Sequence, residues 1–305
     1  MVNNIIDIVG MKYILISREK SMDITKVKII ADSSADVMHL EGVPFSVAPL
    51  KIITDEKEYI DDQNLNVIKM AEELSVYSGK SSSACPSPSD WLNNFGDAEF
   101  VFCVTITSNL SGSYNSAIIA KQDYEEKYPD RKVFVIDSLS AGPELTLIIE
   151  KLRDLILAGE NFQKVCKEIT DYQTKTALVF MLESMRNLAN NGRVHPFVAK
   201  AAGILGIRLV GKASDVGTLE PLEKCRGERK ALSTLVSTMR KLGTTGGEVR
   251  IGHCNNEAAA NALKELLQKE FRNINIKIYS LRGLCSFYAE KGGLLVGFEK
   301  APVFK

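Results

Sequence analysis

The chain has 305 residues, enough for two domains that each bury a core. Hydrophobic residues make up 45% and charged residues 25%, the proportions of an ordinary globular protein. Lys+Arg and Asp+Glu are both 38, so no bulk charge favours nucleic acid, and no basic stripe interleaved with aromatics is present.

Residues 1–25 read as an N-terminal extension. Two short apolar runs, 5–9 and 13–16, are interrupted by Asp7 and Lys12, and neither has the basic start or the length of a signal-peptide core. Met11 and Met22 are alternative starts. No stretch approaches the roughly 18 to 20 apolar residues of a transmembrane helix. The six cysteines (Cys85, Cys103, Cys166, Cys225, Cys254, Cys285) are widely spaced and form no C-x-x-C. With only three histidines (His39, His195, His253) they offer no zinc pattern, and they read as reduced thiols of a cytoplasmic protein.

From Lys26 the pattern is regular. Residues 27–31 (VKIIA) form a β-branched run that ends in Asp32-Ser33-Ser34, which predicts a buried strand entering a turn. Leu65, Ile68, Leu74 and Tyr77 mark a helix. Further strands are predicted at 100–106 (FVFCVTI), 132–136 (KVFVI) and, from a weaker signal, 178–180. Between them, Ala117, Ala120, Tyr124 and Tyr128 mark one helix, and residues 145–157 another that stops near Gly159. Continuous apolar strands alternating with helices imply a mainly parallel sheet covered on both faces.

A helix over 162–172 opens the second half, with the boundary placed at 160/161. Strands are expected at 204–210, 218–222, 249–253, 274–279 and 294–298, with long helices at 228–242 and 257–271. Ser214-Asp215-Val216-Gly217 is a hairpin signal. The expected architecture is therefore α/β in two domains. Residues 26–160 form an α/β/α layered unit, and residues 161–305 form an α+β unit.

Catalytic patterns are scarce. There is no G-x-S-x-G, Walker loop, H-E-x-x-H or G-x-G-x-x-G. Ser17-Arg18-Glu19-Lys20 matches S-x-x-K but falls in the extension, and Asn109-Leu110-Ser111 is a sequon without meaning in a cytosolic protein. Two serine-rich turns stand out instead, at 80–90 (KSSSACPSPSD) and 105–116 (TITSNLSGSYNS). Ser111 and Gly112 open a predicted helix just beyond a strand, where free N–H groups, the helix dipole and a hydroxyl all favour an anion. By spacing alone the competing reading, that these serines are N-caps and turn residues, is the stronger.

The order of motifs changes that balance. Ile30-Ala31-Asp32-Ser33-Ser34, Val43-Pro44-Phe45, Ser83-Ala84-Cys85-Pro86-Ser87-Pro88 and Leu110-Ser111-Gly112-Ser113-Tyr114 come in the first half. Asn191-Gly192-Arg193-Val194, Cys225-Arg226-Gly227-Glu228 and Ile251-Gly252-His253-Cys254-Asn255 follow. In this order, from about Lys26 to Glu299, the chain resembles the DegV family of bacterial lipid-binding proteins.

The resemblance implies a non-catalytic carrier that encloses one long-chain fatty acid in a tunnel between the domains and needs no other cofactor. It implies that Ser83, in place of the usual threonine, and Ser111 with the Gly112 N–H hold the carboxylate. Tyr288 falls where many members have a histidine, and its phenol is a possible carboxylate donor or a plain core residue. The implied partner is a dihydroxyacetone-kinase-like, ATP-dependent fatty acid kinase, with Arg193 and Arg226 as docking candidates or ordinary surface ion-pair formers. His253 reads as a strand end. Two alternatives remain: a serine acyl hydrolase, which needs His195 or His253 to fold beside Ser83 or Ser111, and a binder of another anionic amphiphile.

Overall fold

A computed structural model describes residues 21–196 and 206–301. The extension's apolar runs, Met11, the S-x-x-K match and the first two residues of the strand expected at 204–210 lie outside the described residues.

Strands β1 (Val27–Asp32), β2 (Phe45–Ala48), β6 (Phe100–Thr105) and β7 (Lys132–Asp137) form a four-stranded sheet in the order β2-β1-β6-β7, with every pairing parallel. Its apolar runs are continuous because both faces are covered. Successive residues alternate between two cores: Ile29, Phe102 and Val104 face α4 (Pro143–Leu157) and α5 (Phe162–Gln173). Ile30, Val101 and Cys103 face α2 (Pro88–Phe95) and α3 (Ser113–Lys127). The expected α/β/α layering is present.

A small antiparallel sheet, β4-β3-β5, was not expected from the sequence. It comprises β3 (Lys51–Thr54), β4 (Glu58–Ile60) and β5 (Ser81–Ala84), with α1 (Val67–Val76) between the last two. Its register sets Ser83 opposite Ile52.

The second half holds a six-stranded sheet in the order β10-β9-β8-β13-β11-β12. These strands are β8 (Thr176–Leu182), β9 (Ile207–Ala213), β10 (Leu219–Arg226), β11 (Gly247–His253), β12 (Ile274–Ser280) and β13 (Leu294–Glu299). Only β11 and β12 run parallel; the other neighbours are antiparallel, as an α+β unit requires. The short helix α6 (Arg186–Asn190) follows β8. Val179, Met181 and Val296 pack on one face against the helices flanking β11, α7 (Glu228–Lys241) and α8 (Glu257–Glu270). Leu178, Phe180, Leu182 and Leu295 take the opposite face, in a separate core cluster.

The sequence boundary at 160/161 divides two helices that share a core. Val165 and Ile169 of α5 pack with Ile148 and Leu152 of α4 beneath the first sheet. An amphipathic helix joined to its predecessor by a short turn folds back onto the same layer, so α5 packs with the first unit.

Ion pairs and a turn tie the halves together. Buried Arg250 on β11 reaches Glu150 on α4 through Nε at 3.0 Å, and Glu248 at 2.6 Å. The β9–β10 hairpin lays its tip on the second serine turn, where Asn109 Nδ2 donates to the Val216 carbonyl at 2.7 Å. Gly217 there has φ +75°, and a Cβ would sit 2.2 Å from Thr107 Oγ1, so both backbone and space demand glycine.

Candidate functional site

A cavity of about 320 Å³ lies between the two halves. The first half contributes Leu50, Ile106 and Ala141 with both serine turns; the second contributes Leu178, Phe180, Leu182, Leu219 and Leu295 from its sheet. The short helix α9 (Gly283–Ala289) adds Leu284, Cys285, Tyr288 and Ala289. The wall is overwhelmingly apolar, and its polar groups are Ser83, Ser111, Arg193, Tyr288 and two thiols.

The first serine turn divides its residues between structure and site. Ser87, not Ser83, caps α2: its Oγ accepts from Asp90 N at 3.2 Å, and Asp90 Oδ2 accepts from Ser87 N at 2.8 Å. This capping box, with Pro88 in the first turn, fixes where the helix starts. Ser83 is left to face the cavity, where its Oγ lies 2.6 Å from the Tyr288 hydroxyl. Two hydroxyl protons serve that pair. One is used in the mutual bond, and the other stays available to a ligand.

In the second turn, α3 has Gly112 as its N-cap, with no side-chain cap bond. Ser111 Oγ accepts only a long 3.3 Å bond from Ser113 N. Ser113 turns inward and donates to Asp32 Oδ2 at 2.6 Å. The same carboxylate accepts from Ile106 N at 2.9 Å, and its other oxygen from Ser34 N at 3.2 Å. Asp32 thus joins the ends of β1 and β6 to the start of α3. Burial pushes its carboxyl above the usual range, against the opposing pull of Ser113 and Ser34.

Tyr288 is positioned from across the halves. The first amides of α9, Gly283 N and Leu284 N, donate to buried Asp61 at 3.0 and 2.8 Å. Arg282 N donates to Asp36 Oδ1 at 2.7 Å. Burial pushes Asp36 up to about 8, and Asp61 also upward. Cys285 lines the cavity and donates to the Ser34 carbonyl at 3.3 Å; burial, with Asp36 beside it, holds its thiol protonated.

Sequence reasoning missed Asp36 and Asp61, and it gave Asp32 a place in a motif without its role. The one local signal was Asp32 ending an apolar strand ahead of two serines.

Arg193 and Arg226, paired by the sequence as docking candidates, sit in different surroundings. Arg226 is exposed at the end of β10. Arg193 is half-buried in the cavity wall, where its Nε donates to the Leu110 carbonyl at 3.2 Å and its fork also reaches Asn191 O. Asn191 Nδ2 in turn donates to Ser81 O at 3.2 Å. The Asn191-Gly192-Arg193 segment therefore straps both serine turns and brings a cation beside Ser111.

His253 is buried at the end of β11, with Nδ1 accepting from Asn256 N at 3.4 Å, and burial lowers its pKa. His39 and His195 are exposed. Among the described residues no histidine, aspartate or glutamate lines the cavity. Such a wall suits an anionic head with an apolar tail. Among the described residues no helix is long and apolar enough to cross a membrane.

Known proteins agree with this frame. A DegV domain-containing protein of Streptococcus pneumoniae is 45% identical over 276 residues, covering 89% of this chain and 98% of that protein. One from Streptococcus gordonii is 44% identical over the same shares. Among solved structures, the Fatty Acid Kinase (Fak) B3 protein of S. pneumoniae, loaded with linoleic acid, superposes with a TM-score of 0.89 at 45% identity, covering 90% of this chain and 100% of that one. A DegV family protein from Eubacterium eligens loaded with heptadecanoic acid gives 0.88 at 41% identity, with the same coverage. The family model described as "Uncharacterised protein, DegV family" matches residues 26–301, and the chain belongs to the DegV family.

Proposed function

We propose that this protein is a non-catalytic carrier that encloses one long-chain fatty acid and presents its carboxylate to a partner kinase. The observation that carries the reading is the cavity itself, an apolar chamber with hydroxyls and one guanidinium gathered at the serine turns. Ser83, Ser111, the Gly112 N–H and Tyr288 are the carboxylate donors. The fatty acids held by the related proteins support the ligand class.

The energetics are consistent. Burying about 15 methylenes at about 0.8 kcal/mol each sets an upper bound near 12 kcal/mol. An unpaired carboxylate would forfeit much of that, which is why the donors matter as much as the tunnel. Ordering costs lower the total, and sub-micromolar binding remains.

The kinase partner is supported by the Fak B3 relative. A dihydroxyacetone-kinase-like enzyme would supply ATP chemistry, with Arg226 on the open surface and Arg193 at the mouth as docking residues. A cytoplasmic location fits six free cysteines. Hydrolysis is the weaker reading, because Ser83 and Ser111 have no imidazole or carboxylate beside them in the lining.

Native mass spectrometry of protein purified from a bacterial host tests the proposal. Close to one equivalent of long-chain fatty acid is expected, lost on organic extraction. Ligand-free protein that takes up no fatty acid at micromolar concentration would overturn it.

A further inference from the structure

The inner wall of the chamber is built unlike its mouth. Ser83, Ser111 and Gly112 keep part of their surface open, whereas Phe180 borders the same cavity with 0% of its surface exposed. Phe180 stands on the cavity face of β8 because alternate residues of a strand point to opposite sides. Val179 and Met181 take the helix-covered face.

Its cross-strand partner on β9 is Gly211. That glycine is absent from the positive-φ positions, so the backbone does not call for it. Space does. A Cβ at 211 would lie 2.3 Å from Phe180 Cζ and 2.6 Å from Cε2, far inside ordinary carbon contact. The phenyl ring therefore lies over the bare backbone of β9. A methyl group there would drive it into the chamber.

We infer that Phe180, seated on Gly211, is the inner stop of the acyl chamber and sets the longest chain the protein accepts. This rests on the acyl-binding reading above. Leu178 and Leu182, on the same face of β8, line the cavity on either side of the ring and pack in one apolar cluster with it. With the ring removed, the vacated space is apolar and dry, and added methylenes of a longer tail fill it.

The test is a set of dissociation constants for saturated fatty acids of about 12 to about 20 carbons, each added methylene counting about fourfold while it stays buried. Wild type, Phe180→Ala, Phe180→Leu and Gly211→Ala are compared. In Phe180→Ala the affinity ratio of the longest to the shortest acid should rise at least about tenfold, with Phe180→Leu between. Gly211→Ala should move the ratio the other way. Its Cβ would also approach the Glu220 carbonyl at 2.6 Å, so should that variant fail to fold, the two Phe180 variants decide. A uniform loss at every chain length, or an unchanged profile, would overturn the inference while wild type still binds. A wild type that binds none of the acids would instead overturn the acyl reading and this inference with it.

Discussion

The two halves of the molecule hold the cavity mouth by different means. In the first half, the serine turns have anchors of their own, since Asp32 ties Ile106 and Ser113 together and Ser87 caps its own helix, and the Asn191–Arg193 strap adds bonds from the second half. In the second half, α9 borrows its anchors, since Asp36 and Asp61 come from the other side. Ser83 and Ser111 therefore sit on turns with local anchors that the strap reinforces, whereas Tyr288 reaches Ser83 only when the halves are docked. A site built this way has a rigid floor of donors and one donor that reports on closure.

Three variants break or sharpen that contrast. The largest effect is expected from Ser83→Ala combined with Ser111→Ala, which removes two hydrogen bonds to a charged group, each worth roughly 1.5 to 3 kcal/mol. Fatty-acid affinity should fall at least about tenfold, while the thermal midpoint should fall only by what the lost Ser83–Tyr288 bond contributes, because Asp32 and Ser87 are untouched. Unchanged affinity by calorimetry would remove both serines from the site.

Next comes the borrowed anchor. Asp36 is raised to about 8 in the folded protein, above its unfolded value, so its contribution is complete below the unfolded pKa and is lost as pH rises through 8. Asp32, Asp61 and Glu144 are shifted in the same direction. Between about pH 5 and 8 the wild type should lose stability with pH, Asp36 contributing at most about 1.4 kcal/mol per unit. Asp36→Asn keeps an oxygen for Arg282 N and should flatten that slope in denaturant titrations. An identical slope in both proteins refutes the assignment.

The smallest effect belongs to the cap. Ser87→Ala should cost about 1 kcal/mol of stability and leave affinity unchanged, separating the structural serine from the ligand serine four residues away. A loss of affinity comparable to that of the double variant would mean the two roles are not separate.

Much of the frame was legible in the sequence. The continuous apolar runs at β1, β6 and β7 announced a parallel sheet because burial on both faces leaves no polar alternation. The long helices and the Ser214–Gly217 turn followed from periodicity and turn chemistry, whereas the short helix α9 did not. The β4-β3-β5 sheet did not, since β5 is Ser-Ser-Ser-Ala, a run with little strand preference that becomes a strand only by pairing with β3.

The site divides the same way. Ser83, Ser111, Gly112 and Tyr288 were named through family resemblance, and all four line one cavity. Ser111 as a helix cap was a reasonable local reading that Gly112 displaced. Asp36 and Asp61 escaped notice because their partners are distant; Asp36 and Arg282 are 246 residues apart, a relation no local pattern encodes. Arg193 carried a motif but not its direction, which depends on the Leu110 carbonyl.

The bond between Ser83 and Tyr288 also has a consequence for how the protein is made. It spans 205 residues, so the ribosome releases the whole first half, with Leu50, Ile106 and Cys85 uncovered, long before α9 exists to roof them. Contacts of such long range form late and slowly. Until then the nascent chain presents an apolar trough to the cell, the kind of surface on which chaperones act and aggregates start. Ligand supply then bears on yield: a fatty acid that binds only the closed form draws the last folding step forward by mass action.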